Sequence, residues 1–168
     1  AIAFCEEKLQ VLKNGERPKE SEDVAETLNS LGMLSCRAGM YLEAIDYYDR
    51  ALGIQKKLGC DDVQLAMARV LAGSVQYSLG HFNKSLKLFQ DALGTLRKLG
   101  LEQETVAATL YHIGAVQAAL CNYDEAMSNL RDAFEIQSKL LGTEHPATFR
   151  TRREIANLCR SYLGAVTE

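Results

Sequence analysis

The sequence predicts an all-α chain, a solenoid of antiparallel helix pairs, and three observations predict it. First, LNSLGMLSCRAGMYLEAIDYYDRAL from Leu28, RVLAGSVQYSLGHFNKSLKLFQDAL from Arg69 and LYHIGAVQAALCNYDEAMSNLRDAF from Leu110 align, with Gly32, Gly73 and Gly114 spaced 41 residues apart at each step. A fixed period of that size marks units that bury their apolar faces only against their neighbours. Second, apolar residues recur within each unit at three- and four-residue steps, as one face of an amphipathic helix requires. Third, KKLG, RKLG and KLLG close the units at Gly59, Gly100 and Gly142, where a residue tolerant of left-handed backbone suits a helix end. Such a chain presents extended surface and encloses no catalytic pocket.

The elements follow in order as one array over 1–168. Residues 1–15 read as the second helix of a leading repeat, since AIAFCEEKLQVL places Ala1 and Ile2 where Ala44 and Ile45 stand. Lys8 falls where Ala51, Ala92 and Ala133 pack, so the leading unit is divergent or that site is wet. The first full repeat spans 22–59. Val24, Leu28, Leu31 and Leu34 mark its first helix, Gly39 the turn, and Tyr41, Ala44, Ile45, Tyr48, Ala51 and Leu52 its second helix. Repeats at 62–100 and 103–142 reuse the pattern. The segment 146–163, TFRTRREIANLCRSYL, sets Ile155 and Ala156 where Leu31 and Gly32 stand, and reads as the first helix of a trailing repeat or a cap. Pro18 and Pro146 lie between helices, where a fixed φ and a missing N–H are tolerated. The chain opens without methionine, so an excerpt of a longer polypeptide is expected.

Composition narrows the function classes. The 168 residues are 47% apolar and 24% charged, with net charge −3, which describes a soluble folded protein without a general pull toward nucleic acid or anionic membrane. No apolar run approaches the ~20 residues needed to span a bilayer. Five scattered cysteines without a C-x-x-C pair fit a reducing, cytoplasmic setting. The three histidines occupy unrelated repeat positions, so no metal site is expected. No Ser/His/Asp or Cys/His constellation, Gly-rich phosphate loop or zinc spacing occurs, so neither an enzyme nor a cofactor is expected.

The small–large pattern resembles the tetratricopeptide repeat. The residues carrying the resemblance are Leu31-Gly32, Gly39, Tyr41, Ala44, Tyr48 and Ala51 in the first unit. The second unit has Ala72-Gly73, Gly80, Phe82, Ser85, Phe89 and Ala92. The third has Ile113-Gly114, Tyr123, Ala126, Leu130 and Ala133, with Cys121 replacing the turn glycine. Small residues at these points let two helices cross closely. The 41-residue period and the GTEHPATFRTRREIANL segment are similar to the long kinesin light chain and nephrocystin type of repeat. The resemblance implies a right-handed superhelix whose first helices line a concave groove that binds peptides or other proteins.

In that register the groove is lined by Asn29, Met33, Cys36 and Arg37, then by Val70, Ser74, Tyr77 and Ser78. Tyr111, Ala115, Ala118 and Ala119 follow, and Arg153, Asn157, Arg160 and Ser161 come last. The principal candidates are Asn29, Met33, Arg37, Val70, Ser74, Tyr77, Tyr111, Arg153, Asn157 and Arg160. Aromatic anchors beside arginines favour a binding hot spot, and the arginines favour an acidic segment as a possible ligand. Against this, Val70 and Met33 can serve packing alone, and Arg150, Arg152, Arg153 and Arg160 can be a solvated helix face, with Arg150 and Arg152 pointing away from the other two. Met33 at the second Asn position of a carboxylate clamp argues against a chaperone-tail ligand. Two other readings stay open: a regulatory array following a nucleotide switch domain, and self-association as a weak homodimer through Ile2, Leu9, Ile155 and Leu158 of the terminal half-repeats. Gly53 and Gly94, equivalent within second helices, suggest either close backbone approach or simple duplication.

Overall fold

A computed structural model describes residues 2–14, 21–59, 62–100 and 103–166. Ala1 and Pro18, given places in the repeat pattern above, lie outside the described residues. Among the described residues run eight helices and no strand. They are α1 (Ile2–Asn14), α2 (Glu22–Arg37), α3 (Tyr41–Leu58), α4 (Asp62–Ser78), α5 (Phe82–Lys98), α6 (Gln103–Ala119), α7 (Tyr123–Leu141) and α8 (Pro146–Val166). Their contacts form two compact units, Ala1–Thr95 and Leu96–Glu168, and α5 begins in the first and ends in the second.

In the first unit, α2 and α3 form one hairpin, and α4 and α5 another. Both turns use the same backbone device. The Met40 N–H donates to the Ser35 carbonyl at 2.9 Å, and the His81 N–H to the Gln76 carbonyl at 2.9 Å. Between them Gly39 and Gly80 take φ of 80° and 75°, the left-handed conformation that satisfies the last carbonyls of a helix. The hairpins close on their marker glycines. A Cβ at Gly32 would lie 2.8 Å from the Tyr48 ring, and one at Gly73 would lie 2.9 Å from the Phe89 ring. Helix–helix contact therefore requires a hydrogen at both places. Ser85, in an alanine slot of the repeat, is fully buried and donates to the Gly73 carbonyl at 2.8 Å.

Two apolar clusters hold this unit. Leu9, Val24, Leu28, Leu31 and Ala51 form one, with Ile2, Cys5, Tyr47 and Ile54 against it. Ala44, Tyr48, Ala72 and Val75 form the other, which Leu88 of α5 helps to cover. Fully burying one such leucine contributes about 1.5–3 kcal/mol. Lys8 is exposed, in keeping with a wet site. Leu9, expected on an open terminal face, is instead packed under α2, and the exposed apolar residues of α1 are Phe4 and Val11.

In the second unit, α6 and α7 form a hairpin and α8 packs on α7. The turn is the same: the Asn122 N–H donates to the Gln117 carbonyl at 2.9 Å. Here Cys121 carries the positive φ, 61°, in place of glycine. A Cβ at Gly114 would meet Leu130 at 2.7 Å. Ala126, Leu130 and Leu158 form the cluster, with Tyr111, Ala118, Tyr123, Met127 and Ile155 against it. Leu158, the other residue expected on an open face, is thus buried too. Pro146 opens α8, and the His145 ring Nδ1 accepts the Ala147 N–H at 3.3 Å, which caps the helix start.

Gly53 and Gly94 have open space where a Cβ would go, so no close backbone approach explains them. Arg69 is half-buried, and its Nη1 donates to Thr95 Oγ1 at 3.2 Å. Arg152, at the equivalent repeat position, is exposed and lies over the Phe149 ring at 5.2 Å.

Candidate interaction faces

The first helices of the repeats, α2 and α4 in the first unit and α6 and α8 in the second, carry the candidate residues. Their opposite faces are committed to the cores, so the residues flanking each marker glycine or alanine turn toward their neighbours or solvent.

In the first unit, α2 and α4 touch directly. A hydrogen bond of 2.6 Å from Gln64 Nε2 to Glu22 Oε1 joins their starts. Met33 is 45% exposed and Tyr77 is 40% exposed, whereas Asn29, Val70 and Ser74 are half-buried. Arg37 is exposed at the end of α2. The Ser74 hydroxyl donates to the Val70 carbonyl at 3.0 Å, which occupies its proton within the helix. The buried Asn29 Oδ1 has no hydrogen-bond partner. The Tyr77 ring sits 5.5 Å from Phe82, tilted by 56°, so the next helix holds it in place. Met67 is 54% exposed and absent from the sequence reading. It lies one helical turn before Val70, and continuing the stripe upstream by that turn would have found it.

In the second unit, Tyr111 is half-buried and packs on the Leu130 cluster, so it is partly core. The Arg150 guanidinium lies over its ring at 5.3 Å. This corrects the expectation that Arg150 points away from Arg153 and Arg160. Residues three apart on a helix are neighbours, and Arg150, Arg153, Asn157 and Arg160 form one stripe. Arg153, Asn157 and Arg160 are all exposed. Arg160 Nη2 donates to Asn157 Oδ1 at 2.6 Å. Beside Tyr111, burial pushes the His112 imidazole below its usual range, and the Arg150 charge adds to the effect.

A family model for the tetratricopeptide repeat matches residues 23–98 and 105–165. The chain belongs to the tetratricopeptide repeat family. No curated protein matches the sequence. Solved structures similar to this tetratricopeptide chain include the nearly identical kinesin light chain repeats of Podospora anserina. That match has TM-score 0.80 and 17% identity, over 96% of this chain and 77% of the other. BtubC (BKLC) from P. vanneervenii matches with TM-score 0.77 and 20% identity, over 96% of this chain and 65% of that one. The first repeat domain of Spaghetti (RPAP3), solved with the HSP90 peptide SRMEEVD, matches with TM-score 0.65 and 16% identity, over 83% and 93%. At these identities the likeness shows the fold, the all-α solenoid of helix pairs, of the kinesin light chain type.

Among the described residues no group of three His, Cys, Asp or Glu side chains could hold a metal ion. Nor is any described helix long and apolar enough to cross a membrane.

Proposed function

We propose that this tetratricopeptide chain is a non-catalytic protein–protein interaction module of the cytoplasm that takes up a partner segment, extended or helical, on its first-helix faces. In the first unit the contact residues are Asn29, Met33, Arg37, Val70, Ser74 and Tyr77, joined by Met67. In the second they are Tyr111, Arg153, Asn157 and Arg160. The observation that carries this reading is the exposure of Met33, Met67 and Tyr77 on two helices in direct contact. Large apolar side chains grouped on a surface mark interaction sites, and an aromatic braced by its neighbour is the type of residue that dominates binding energy. One structural relative, the Spaghetti domain, was solved with a peptide bound, which supports a peptide or protein as the ligand class. The test is capture of partners from cytosolic extract by the wild-type chain and by a Met33→Lys/Tyr77→Ala variant. Prey lost by the variant, with helical circular dichroism unchanged, is the expected result. An unchanged set of prey would refute the assignment.

Self-association is the second reading. Phe4 and Val11 of α1 are 71% and 66% exposed, and a cavity of about 300 Å³ opens beside Tyr123, Met127, Leu158 and Tyr162. Light scattering that reports a monomer at high protein concentration would remove it.

A further inference from the structure

We infer that the arginine stripe of α8, backed by Tyr111 of α6, is a docking site for an acidic segment of the partner protein. This rests on the interaction reading above and names the chemistry of one part of it.

Three observations point the same way. First, the stripe is held by neutral groups: Arg150 over the Tyr111 ring at 5.3 Å, and Arg160 on the Asn157 amide oxygen at 2.6 Å. Arg153, between them, is exposed and makes no ion pair among the described residues. Exposed cations elsewhere are paired on their own helix, Arg50 with Asp46 at 3.2 Å and Lys139 with Glu135 at 2.6 Å. A guanidinium resting on a ring or an amide oxygen is oriented yet keeps its charge and most of its N–H donors, which is the state suited to a carboxylate fork.

Second, the surroundings supply no anion. Glu154 is the one acidic residue of α8, and it forms no ion pair among the described residues. On α6 the acid is Glu104 in the first turn, while Tyr111, Ala115 and Ala118 are neutral. Third, arginines three and four residues apart repel, by a few tenths of a kcal/mol per pair. The helix tolerates that cost without an internal counter-charge, in a chain whose net charge is −3. A local positive patch on a mildly acidic chain selects a short acidic segment and not a polyanion, which the remaining surface would repel. From residue 150 to 160 the stripe runs about 15 Å at 1.5 Å per residue. An extended segment covers that in roughly five residues.

The probes are fluorescein-labelled hexapeptides rich in Glu and Asp, their Gln and Asn counterparts, a single-stranded DNA 12-mer, and phosphatidylserine vesicles, all in about 0.15 M salt. Saturable binding of acidic hexapeptides at least tenfold tighter than their amide counterparts is expected. An Arg150→Gln/Arg153→Gln/Arg160→Gln variant should lose that preference, while Arg131→Gln on α7 should keep it. Because the repulsion is relieved, the triple variant should melt no lower than wild type. An Arg153→Glu/Arg160→Glu variant should favour lysine-rich hexapeptides, a reversal that misfolding would not produce. Equal binding of acidic and amide peptides, tighter binding of DNA or vesicles, or retention of the preference by the triple variant would overturn the inference. Prey that the triple variant keeps and the Met33→Lys/Tyr77→Ala variant loses would sink this inference alone and leave the interaction reading standing.

Discussion

The Thr151 hydroxyl of α8 donates to Gln137 Oε1 of α7 at 2.7 Å, both side chains buried. The same repeat positions in the first unit are Ala68 and Gln55. Gln55 is 1% exposed, and its Oε1 has no hydrogen-bond partner. The glutamine has been kept while the residue that would satisfy it is missing a hydroxyl.

Ala68→Thr should therefore stabilise the first unit. A buried acceptor without a donor costs about 1–3 kcal/mol, and a restored bond contributes about 1 kcal/mol. The helix can hold a threonine there, as Thr27 and Thr109 at the equivalent positions bond to their own helices. A rise in melting temperature of about 2–4 °C is expected. A fall would mean that Ala68 is packed too tightly to accept the added atoms.

Cys121 carries a φ of 61° where Gly39 and Gly80 stand in the other hairpins. A side chain in left-handed backbone costs about 1–2 kcal/mol, partly offset by the greater freedom of glycine in the unfolded chain. Cys121→Gly should raise the denaturant midpoint by the equivalent of about 0.5–1 kcal/mol. Since Cys121 is exposed, it should also remove one thiol from rapid alkylation.

Gly94 is exposed within α5, with nothing near its missing Cβ. Gly94→Ala should stabilise by about 1 kcal/mol through helix propensity alone. By contrast, Gly73→Ala should destabilise, because its new methyl meets the Phe89 ring at 2.9 Å. Opposite signs for one substitution at two helical glycines would be read from paired thermal melts.

His112 is held below its usual value of 6.5, by burial first and Arg150 second. The unfolded chain therefore takes up the proton before the folded one as pH falls. Stability is complete above pH 6.5 and drops as pH falls through 6.5 toward the folded value, by at most about 1.4 kcal/mol per pH unit. Urea unfolding at about pH 7.5 and about pH 5.5, on either side of that value, should show this loss. His112→Gln should flatten the difference.

The repeat was legible because its physics is local. Gly32 faces Tyr48, Gly73 faces Phe89 and Gly114 faces Leu130, so the alternation of a small residue and a large one 16 residues later survives in the sequence whatever lies between. The helix-ending glycines announce themselves through φ in the same way. The interaction faces were harder to read because exposure there depends on neighbouring helices. Met67 and Arg150 sit a turn beyond the family's groove positions around each marker, and Arg150 is drawn to Tyr111 by a contact between helices far apart in sequence. Leu9 and Leu158 looked like open ends from their order in the chain, yet each is covered by the adjacent helix. Gly53 and Gly94 mimic the marker glycines in recurrence without sharing their cause.

Gly59 leaves α3 with φ 59° and ψ 25°, whereas Gly142 leaves α7 with φ 87° and ψ 162°, an extended form open to glycine alone. From Gly114 to Ala156 the spacing is 42 residues, one more than between the earlier markers. The surplus residue is spooled out at the junction after Gly142, while the turn inside the α6–α7 hairpin keeps the hydrogen bonding of the other two. Insertions and deletions can therefore accumulate between hairpins during evolution, and grafted loops or reporter tags belong at the same joints, because slack there is never transmitted to the pairing of small and large residues within a hairpin.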